Sequence, residues 1–139
     1  MSEQEKLQSL VAELRMLETY FNEIDTRESL LGRALVESRA ALDTIKGFSS
    51  NEPSDLLVPI GGGLFLKASA QPPDRLIINV GAGTMIEKTK EDAIAFLETK
   101  IKEIEEAITK FESQKADLAR RMDSNRTAIS ELLEKQRRA

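Results

Sequence analysis

The sequence predicts an α+β chain in which two long helices form an antiparallel coiled-coil hairpin, with two β-hairpins between them along the chain. Residues 48–88 contain all four Pro and most of the Gly, whereas residues 3–47 and 89–139 contain no Pro. Apolar residues recur at heptad spacing in both outer segments. Aromatic residues make up only 4% of the chain and charged residues 32%, which is typical of long amphipathic helices.

The N-terminal segment, residues 1–47, is predicted to form one coiled-coil helix. Its a and d positions are Leu7, Leu10, Leu14, Leu17, Phe21, Ile24, Glu28, Leu31, Leu35, Ser38, Leu42 and Ile45. Ten of these twelve residues are apolar, and the pattern lasts for six heptads. Such a sustained pattern indicates a coiled coil rather than an ordinary surface helix.

The central segment, residues 48–88, is predicted to form two β-hairpins in series. Apolar runs at 56–60 and 64–70 flank three glycines at 61–63, and runs at 75–80 and 84–88 flank Gly81-Ala82-Gly83. Short glycine-containing connections between apolar runs are typical of hairpin turns. Pro59 suits an edge strand or a strand end, because it cannot donate a ladder hydrogen bond.

These hairpins are expected to pair with other chains. About 33 residues of sheet are too few to bury an independent core, since chains below roughly 40 residues usually need additional stabilisation. The helices are not expected to cover the strands well, because their apolar stripes already face each other. The central segment is therefore predicted to drive oligomerisation. The residues expected at this assembly surface are Leu57, Val58, Ile60, Leu64, Leu66, Ile77, Ile78, Val80, Met85 and Ile86.

The C-terminal segment, residues 89–139, is predicted to form the second coiled-coil helix. Thr89 is a suitable N-cap, and Glu91 and Asp92 follow in the first turn, where carboxylates favour the helix dipole. Ten of the twelve a and d positions are again apolar, and these positions are Ile94, Leu97, Ile101, Ile104, Ile108, Phe111, Lys115, Leu118, Met122, Asn125, Ile129 and Leu132.

The two helices are expected to fold back on each other in a definite register. When residue numbers in facing layers add up to 139, Leu17 faces Met122 and every layer finds a partner. A slip of one heptad would pair almost as well. In the first register Glu28 and Lys115 occupy neighbouring core layers, so we expect their charged ends to approach each other and help to set the register.

Two central stretches resemble the α-class subunit of prefoldin, an archaeal chaperone. They are LVPIGGGLFLKA at 57–68 and VGAGTMIEK at 80–88, which is followed by AIAFL at 93–97. Gly62 and Thr84-Met85 depart slightly from the family pattern. The resemblance implies a hexamer of two α-class and four β-class subunits, in which the hairpins join a double β-barrel and the coiled coils project. It also implies capture of unfolded proteins at the coiled-coil tips and their delivery to a group II chaperonin, without ATP or another cofactor.

The helix ends supply the expected client-binding residues. They are Leu7, Leu10, Val11, Leu14, Met122, Ile129, Leu132 and Leu133. Val11 and Leu133 lie outside the a/d stripe, and chain ends fray, so apolar side chains there are suited to contact the apolar surface of a non-native protein. The alternative is that the a/d members simply close the coiled coil.

The two helix ends carry opposite charge. Residues 1–20 sum to −2, and residues 120–139 sum to +3. This polarity indicates attraction between the helices, and the alternative is a contact of the basic end with a chaperonin or an acidic client.

The absence of His and Cys excludes several common kinds of catalytic and metal site. The chain has no His and no Cys, so it lacks an imidazole base, a thiol nucleophile and a thiolate metal site. We expect no enzyme activity and no metal, and we interpret the Gly-rich stretches as turns. The net charge of −4 disfavours a nucleic-acid partner, and no apolar run is long enough for a membrane helix. Without a signal-peptide pattern, a cytoplasmic location is expected.

Two other function classes remain open at this stage. A structural coiled-coil scaffold or tether would have the same heptad pattern, but its helix ends would not need to bind non-native proteins. A hairpin that binds nucleic acid through its basic end would show strongly salt-dependent binding.

Overall fold

The computed structural model describes residues 2–139 and confirms the predicted fold class. The elements in chain order are α1 (Glu3–Gly47), β1 (Ser54–Gly61), β2 (Leu64–Ala70), β3 (Arg75–Gly81), β4 (Thr84–Thr89) and α2 (Lys90–Arg138). The chain divides into two compact units. Unit 1 combines the residues up to Ala34 with Ile104–Ala139, and unit 2 is Leu35–Glu103.

Both helices begin at hydroxyl caps. The Glu5 backbone N–H donates to Ser2 Oγ at 3.2 Å, and the Asp92 backbone N–H donates to Thr89 Oγ1 at 3.2 Å. Each cap satisfies one of the N–H groups that the first turn of a helix leaves without a partner. The Thr89 cap is the one that the sequence predicts, and it marks the junction between β4 and α2.

The four strands form two separate antiparallel hairpins. β1 pairs with β2, and β3 pairs with β4. The strands extend through Gly61 and Gly81, so each turn has two residues rather than the three that the sequence indicated. Gly62 and Gly63 have φ of 60° and 79°, and Ala82 and Gly83 have φ of 51° and 74°. Positive φ at both central residues is what type I′ hairpin turns require.

The core of unit 1 lies between the two helices. Leu17, Leu118 and Met122 are buried together, and Leu14, Phe21 and Ile24 pack against them. Leu17 therefore meets Met122, as in the register whose residue numbers add up to 139. A slip of one heptad would have placed Leu17 beside Lys115 or Ile129 instead.

Unit 2 joins the β3–β4 hairpin to the adjoining helix segments. The Lys90 backbone N–H donates to the carbonyl of Asp74 at 2.9 Å, and Lys46 Nζ lies 3.5 Å from Glu98 Oε1. Half-buried Leu76 and Ile78 line a cavity of about 250 Å³, whose other lining residues include Ile45, Ala93, Phe96 and Leu97. The expectation that the helices cover neither hairpin well is thus wrong for one face of β3–β4, which lies against residues of both helices, including Ile45 and Leu97 of the a/d stripes.

Candidate functional site

The terminal part of unit 1 contains all the residues expected to bind clients. We call residues 3–14 of α1 and 122–138 of α2 the tip. Met122 is buried in the core, while Leu7, Leu10, Val11, Leu14, Ile129 and Leu132 are half-buried. Leu133 is 49% exposed. Apart from Met122, the apolar residues of the tip are thus only partly covered, which leaves apolar surface accessible there.

Ion pairs connect the two helices along the tip and just below it. Lys135 Nζ lies 2.8 Å from Glu3 Oε1, Arg121 Nη2 lies 4.0 Å from Glu13 Oε1, and Arg126 Nη2 lies 3.5 Å from Glu18 Oε1. The sequence predicted attraction between an acidic and a basic end, and these pairs account for it. All six side chains are substantially exposed, and exposed ion pairs contribute little to stability. These ion pairs orient the two helix ends but add little to the stability of the contact between them.

The pair at the helix ends perturbs both of its members. A hydrogen bond and the positive charge from Lys135 lower the pKa of the Glu3 carboxyl, and the same contact with Glu3 raises the pKa of Lys135. The two opposite shifts have one cause, because each charge favours the ionised form of its partner.

A charged cluster interrupts the apolar core of unit 1 at Lys115. Its Nζ donates to Asp25 Oδ1 at 2.7 Å, lies 3.3 Å from Glu28 Oε2 and stands 5.3 Å from the centre of the Phe21 ring. The hydrogen bond to Asp25 is the main cause that raises the pKa of Lys115. Glu28 Oε2 is buried and faces the lysine without an aligned hydrogen-bond donor.

The approach of Glu28 to Lys115 is the one expected from the sequence. Its role in setting the register stays a prediction. Asp25 was not anticipated as a partner, because it lies outside the a and d positions. Asp25 lies three residues before Glu28 on the same helix, and this spacing places the two side chains on the same helix face, where the sequence could have identified Asp25 as a partner.

A second surface, on the hairpins of unit 2, exposes large apolar side chains. Eight of the ten residues expected at the assembly surface are exposed, namely Leu57, Val58, Ile60, Leu64, Leu66, Ile77, Val80 and Met85. Ile78 and Ile86, which pair across β3–β4, are half-buried instead. Phe65 is also exposed and was missed, although the strand alternation could have identified it.

The β1–β2 hairpin is apolar on both faces. Val58 lies opposite Leu66, and Pro59 lies opposite Phe65. Because successive residues of a strand point to opposite faces, these two pairs lie on different sides of the hairpin. Both sides therefore expose apolar side chains, and exposed patches of this kind mark interaction sites.

Within residues 2–139, no cluster of carboxylates has the arrangement of a metal site. In the same part of the chain, no helix is both long and apolar enough to cross a membrane.

Comparisons with known proteins identify one family. The model of the family described as "Prefoldin subunit" matches residues 3–135. The chain is 37% identical over 131 residues to prefoldin subunit alpha of Nitrosopumilus maritimus, covering 94% of this chain and 90% of that protein. It is 31% identical over 133 residues to prefoldin subunit alpha of Pyrococcus horikoshii, with the same coverage.

A solved structure supports the fold. The crystal structure of the prefoldin beta subunit from Thermococcus strain KS-1 matches with a TM-score of 0.64 at 17% sequence identity, covering 91% of this chain and 90% of that one. The resemblance deduced from the two central stretches of sequence is confirmed by these matches.

Proposed function

Because the chain belongs to the prefoldin family of chaperone subunits, we propose that it captures unfolded proteins at its tip, without ATP or another cofactor, and passes them to a group II chaperonin in the cytoplasm. The proposal is carried by the exposure of Leu133 beside half-buried Leu132, at an end of unit 1 where the Lys135–Glu3 ion pair between the helices is exposed. Non-native proteins expose apolar side chains, and burial of apolar surface favours their contact with such an end.

We also propose that the hairpins assemble the chain with β-class subunits, as two α-class and four β-class chains. The exposed apolar residues of β1–β2 on both faces, together with Ile77 and Met85 on β3–β4, support this assignment. Burying a Leu or Ile side chain contributes about 1.5–3 kcal/mol. An interface that covers several of these residues would be stable.

The first experiment measures light scattering from a chemically unfolded protein diluted into buffer without nucleotide. The intact assembly with a β-class partner is compared with one that lacks residues 1–16 and 123–139 of this chain and the matching partner tips. We expect the intact assembly to suppress aggregation and the trimmed assembly to fail. Size-exclusion chromatography shows that both complexes form.

A substitution pair refines this test without shortening the helices. In Val11→Ser/Leu133→Ser, two tip residues outside the a/d stripe become polar. The control Tyr20→Ser/Leu30→Ser changes two exposed apolar residues of α1 that lie outside the tip, Leu30 being 59% exposed. Suppression of aggregation should fall only in the first variant.

The other results identify the competing functions. If neither assembly suppresses aggregation although both form, the chain is a structural scaffold. If the trimmed assembly is as active as the intact one, the client surface lies on the hairpins. Delivery is tested separately, by adding a group II chaperonin and measuring transfer of a fluorescent client.

A further inference from the structure

The buried core of unit 1 ends at a polar residue. Asn125 occupies a d position of α2 and is only 6% exposed. Beyond it towards the C-terminus, residues 126–139 are all half-buried or exposed, and on α1 the same holds from Ser2 to Met16. Asn125 is therefore the last buried residue of α2 before its C-terminal end.

The amide of Asn125 is poorly satisfied in this position. Its Oδ1 atom is buried and accepts no hydrogen bond within the described chain. A buried acceptor without a partner disfavours the closed state, because the same atom is hydrogen-bonded to water when the helices separate. The closed arrangement is thus weakened at this layer.

The packing beside Asn125 is incomplete as well. An open groove of about 350 Å³ lies there and is lined by Leu10, Glu13, Arg120, Arg121, Ser124, Asn125 and Ala128. Ser124 and Ala128 are small, and the two arginines extend towards solvent. The groove and the buried Asn125 Oδ1 atom, which accepts no hydrogen bond, lie at the same layer. Both weaken the association of the two helices there.

We propose that Asn125 is the opening point of the tip. The weak layer lets residues 3–14 and 126–138 separate locally while the Leu17–Leu118–Met122 core stays closed. Separation exposes Leu7, Leu10, Ile129 and Leu132 as a continuous apolar surface for an extended segment of a non-native polypeptide. This inference rests on the proposed capture of unfolded proteins, and it explains how a/d residues can both close the coiled coil and contact a client.

The test combines amide hydrogen exchange with the aggregation assay, using the full chain assembled with its β-class partner. Asn125→Leu removes the orphaned acceptor and places an apolar side chain beside the groove. We expect it to slow exchange of residues 3–14 and 126–138 by about tenfold and to weaken suppression of aggregation. Asn125→Asp places a charge in the same layer, and we expect it to speed exchange of the same segments.

Ser38→Leu is the matched control. Ser38 is a buried polar residue at a d position of α1 in unit 2. Its replacement should leave exchange of the tip and suppression of aggregation unchanged. This control separates a local effect at the tip from a general gain in helix pairing.

Each result decides the inference. Unchanged tip exchange in Asn125→Leu overturns it, as does slowed exchange with undiminished suppression of aggregation. If the unsubstituted assembly itself fails to suppress aggregation, the proposed function fails. Exchange in the Asn125 variants then still shows whether this residue controls opening.

Discussion

Unit 1 and the hairpins of unit 2 place their apolar residues in opposite environments. In unit 1, Leu17 is 2% exposed, because the stripe of one helix faces the stripe of the other. On β1, Leu57 is 65% exposed, and Val58 and Ile60 on the same strand are exposed as well. Similar leucines are thus covered by the chain itself in one region and left exposed in the other. A self-covered region indicates a folding role, and a region exposed on two faces indicates assembly.

The two hairpins differ in how much of their apolar surface is buried within the chain. β3–β4 has one half-buried face, where Leu76 and Ile78 lie beside residues of both helices, and one exposed face, where Ile77 is located. β1–β2 exposes apolar side chains on both faces. We therefore expect β1–β2 to contribute more to assembly than β3–β4.

The largest effect is expected from a charge on either face of β1–β2. Leu57→Asp changes one face and Leu66→Asp changes the other. Each should weaken assembly with β-class subunits by at least about a hundredfold, because a buried leucine is lost and an unpaired charge is buried. Analytical ultracentrifugation measures the change, and Ser29→Asp, at an exposed position of α1, is the control. Assembly that tolerates one of the two substitutions would show that only one face is covered.

The same substitution in both regions sharpens the comparison. Leu17→Ala should lower the free energy of unfolding by about 3 kcal/mol, because it leaves a cavity in the core of unit 1. Leu57→Ala should leave the stability of the unassembled chain unchanged and weaken assembly instead. Urea denaturation followed by circular dichroism measures the first quantity, and ultracentrifugation measures the second. Equal losses of stability in both variants would contradict the distinction.

A smaller effect is expected at the charged cluster of unit 1. Lys115→Ala leaves the buried Oε2 of Glu28 without its cation and should lower the free energy of unfolding by about 1–2 kcal/mol. The double variant Glu28→Leu/Lys115→Leu removes both charges and should recover most of that loss. Urea denaturation of the three chains measures this difference. A double variant as unstable as Lys115→Ala would indicate that the cation acts mainly through Asp25 or Phe21.

The smallest effect is expected at the pair that joins the helix ends. Lys135 lowers the pKa of the Glu3 carboxyl, so the pair stabilises the closed tip above the ordinary carboxyl pKa of 4.5 and loses this contribution as pH falls through the lowered value. Lys135 has a raised pKa, so the contribution is also lost as pH rises through that value. NMR titration of Glu3 checks the shift. In Lys135→Ala the carboxyl pKa should return towards its ordinary value, and an unchanged pKa would refute the contact.

Much of the fold follows from local pattern. Heptad spacing predicts both helices, Thr89 predicts the start of α2, and alternating apolar runs predict the four strands. The glycine pattern predicts turns that begin one residue too early, because Gly61 and Gly81 continue their strands and only the next two residues have the φ values of a type I′ turn. A sequence indicates that a glycine is permissive, but pairing with the opposite strand decides where the ladder ends.

By itself, the sequence determined which elements form, the resemblance to prefoldin and the opposite charge of the helix ends, because periodicity, turn residues and charge are properties of neighbouring positions. Only the tertiary structure decided between the expected helix register and its one-heptad slip. It placed Asp25 with Lys115, left Asn125 buried without a hydrogen bond at Oδ1, and covered one face of β3–β4 while leaving both faces of β1–β2 exposed. Burial and hydrogen bonding depend on residues distant in the chain, so they are settled only when the helices and strands pack.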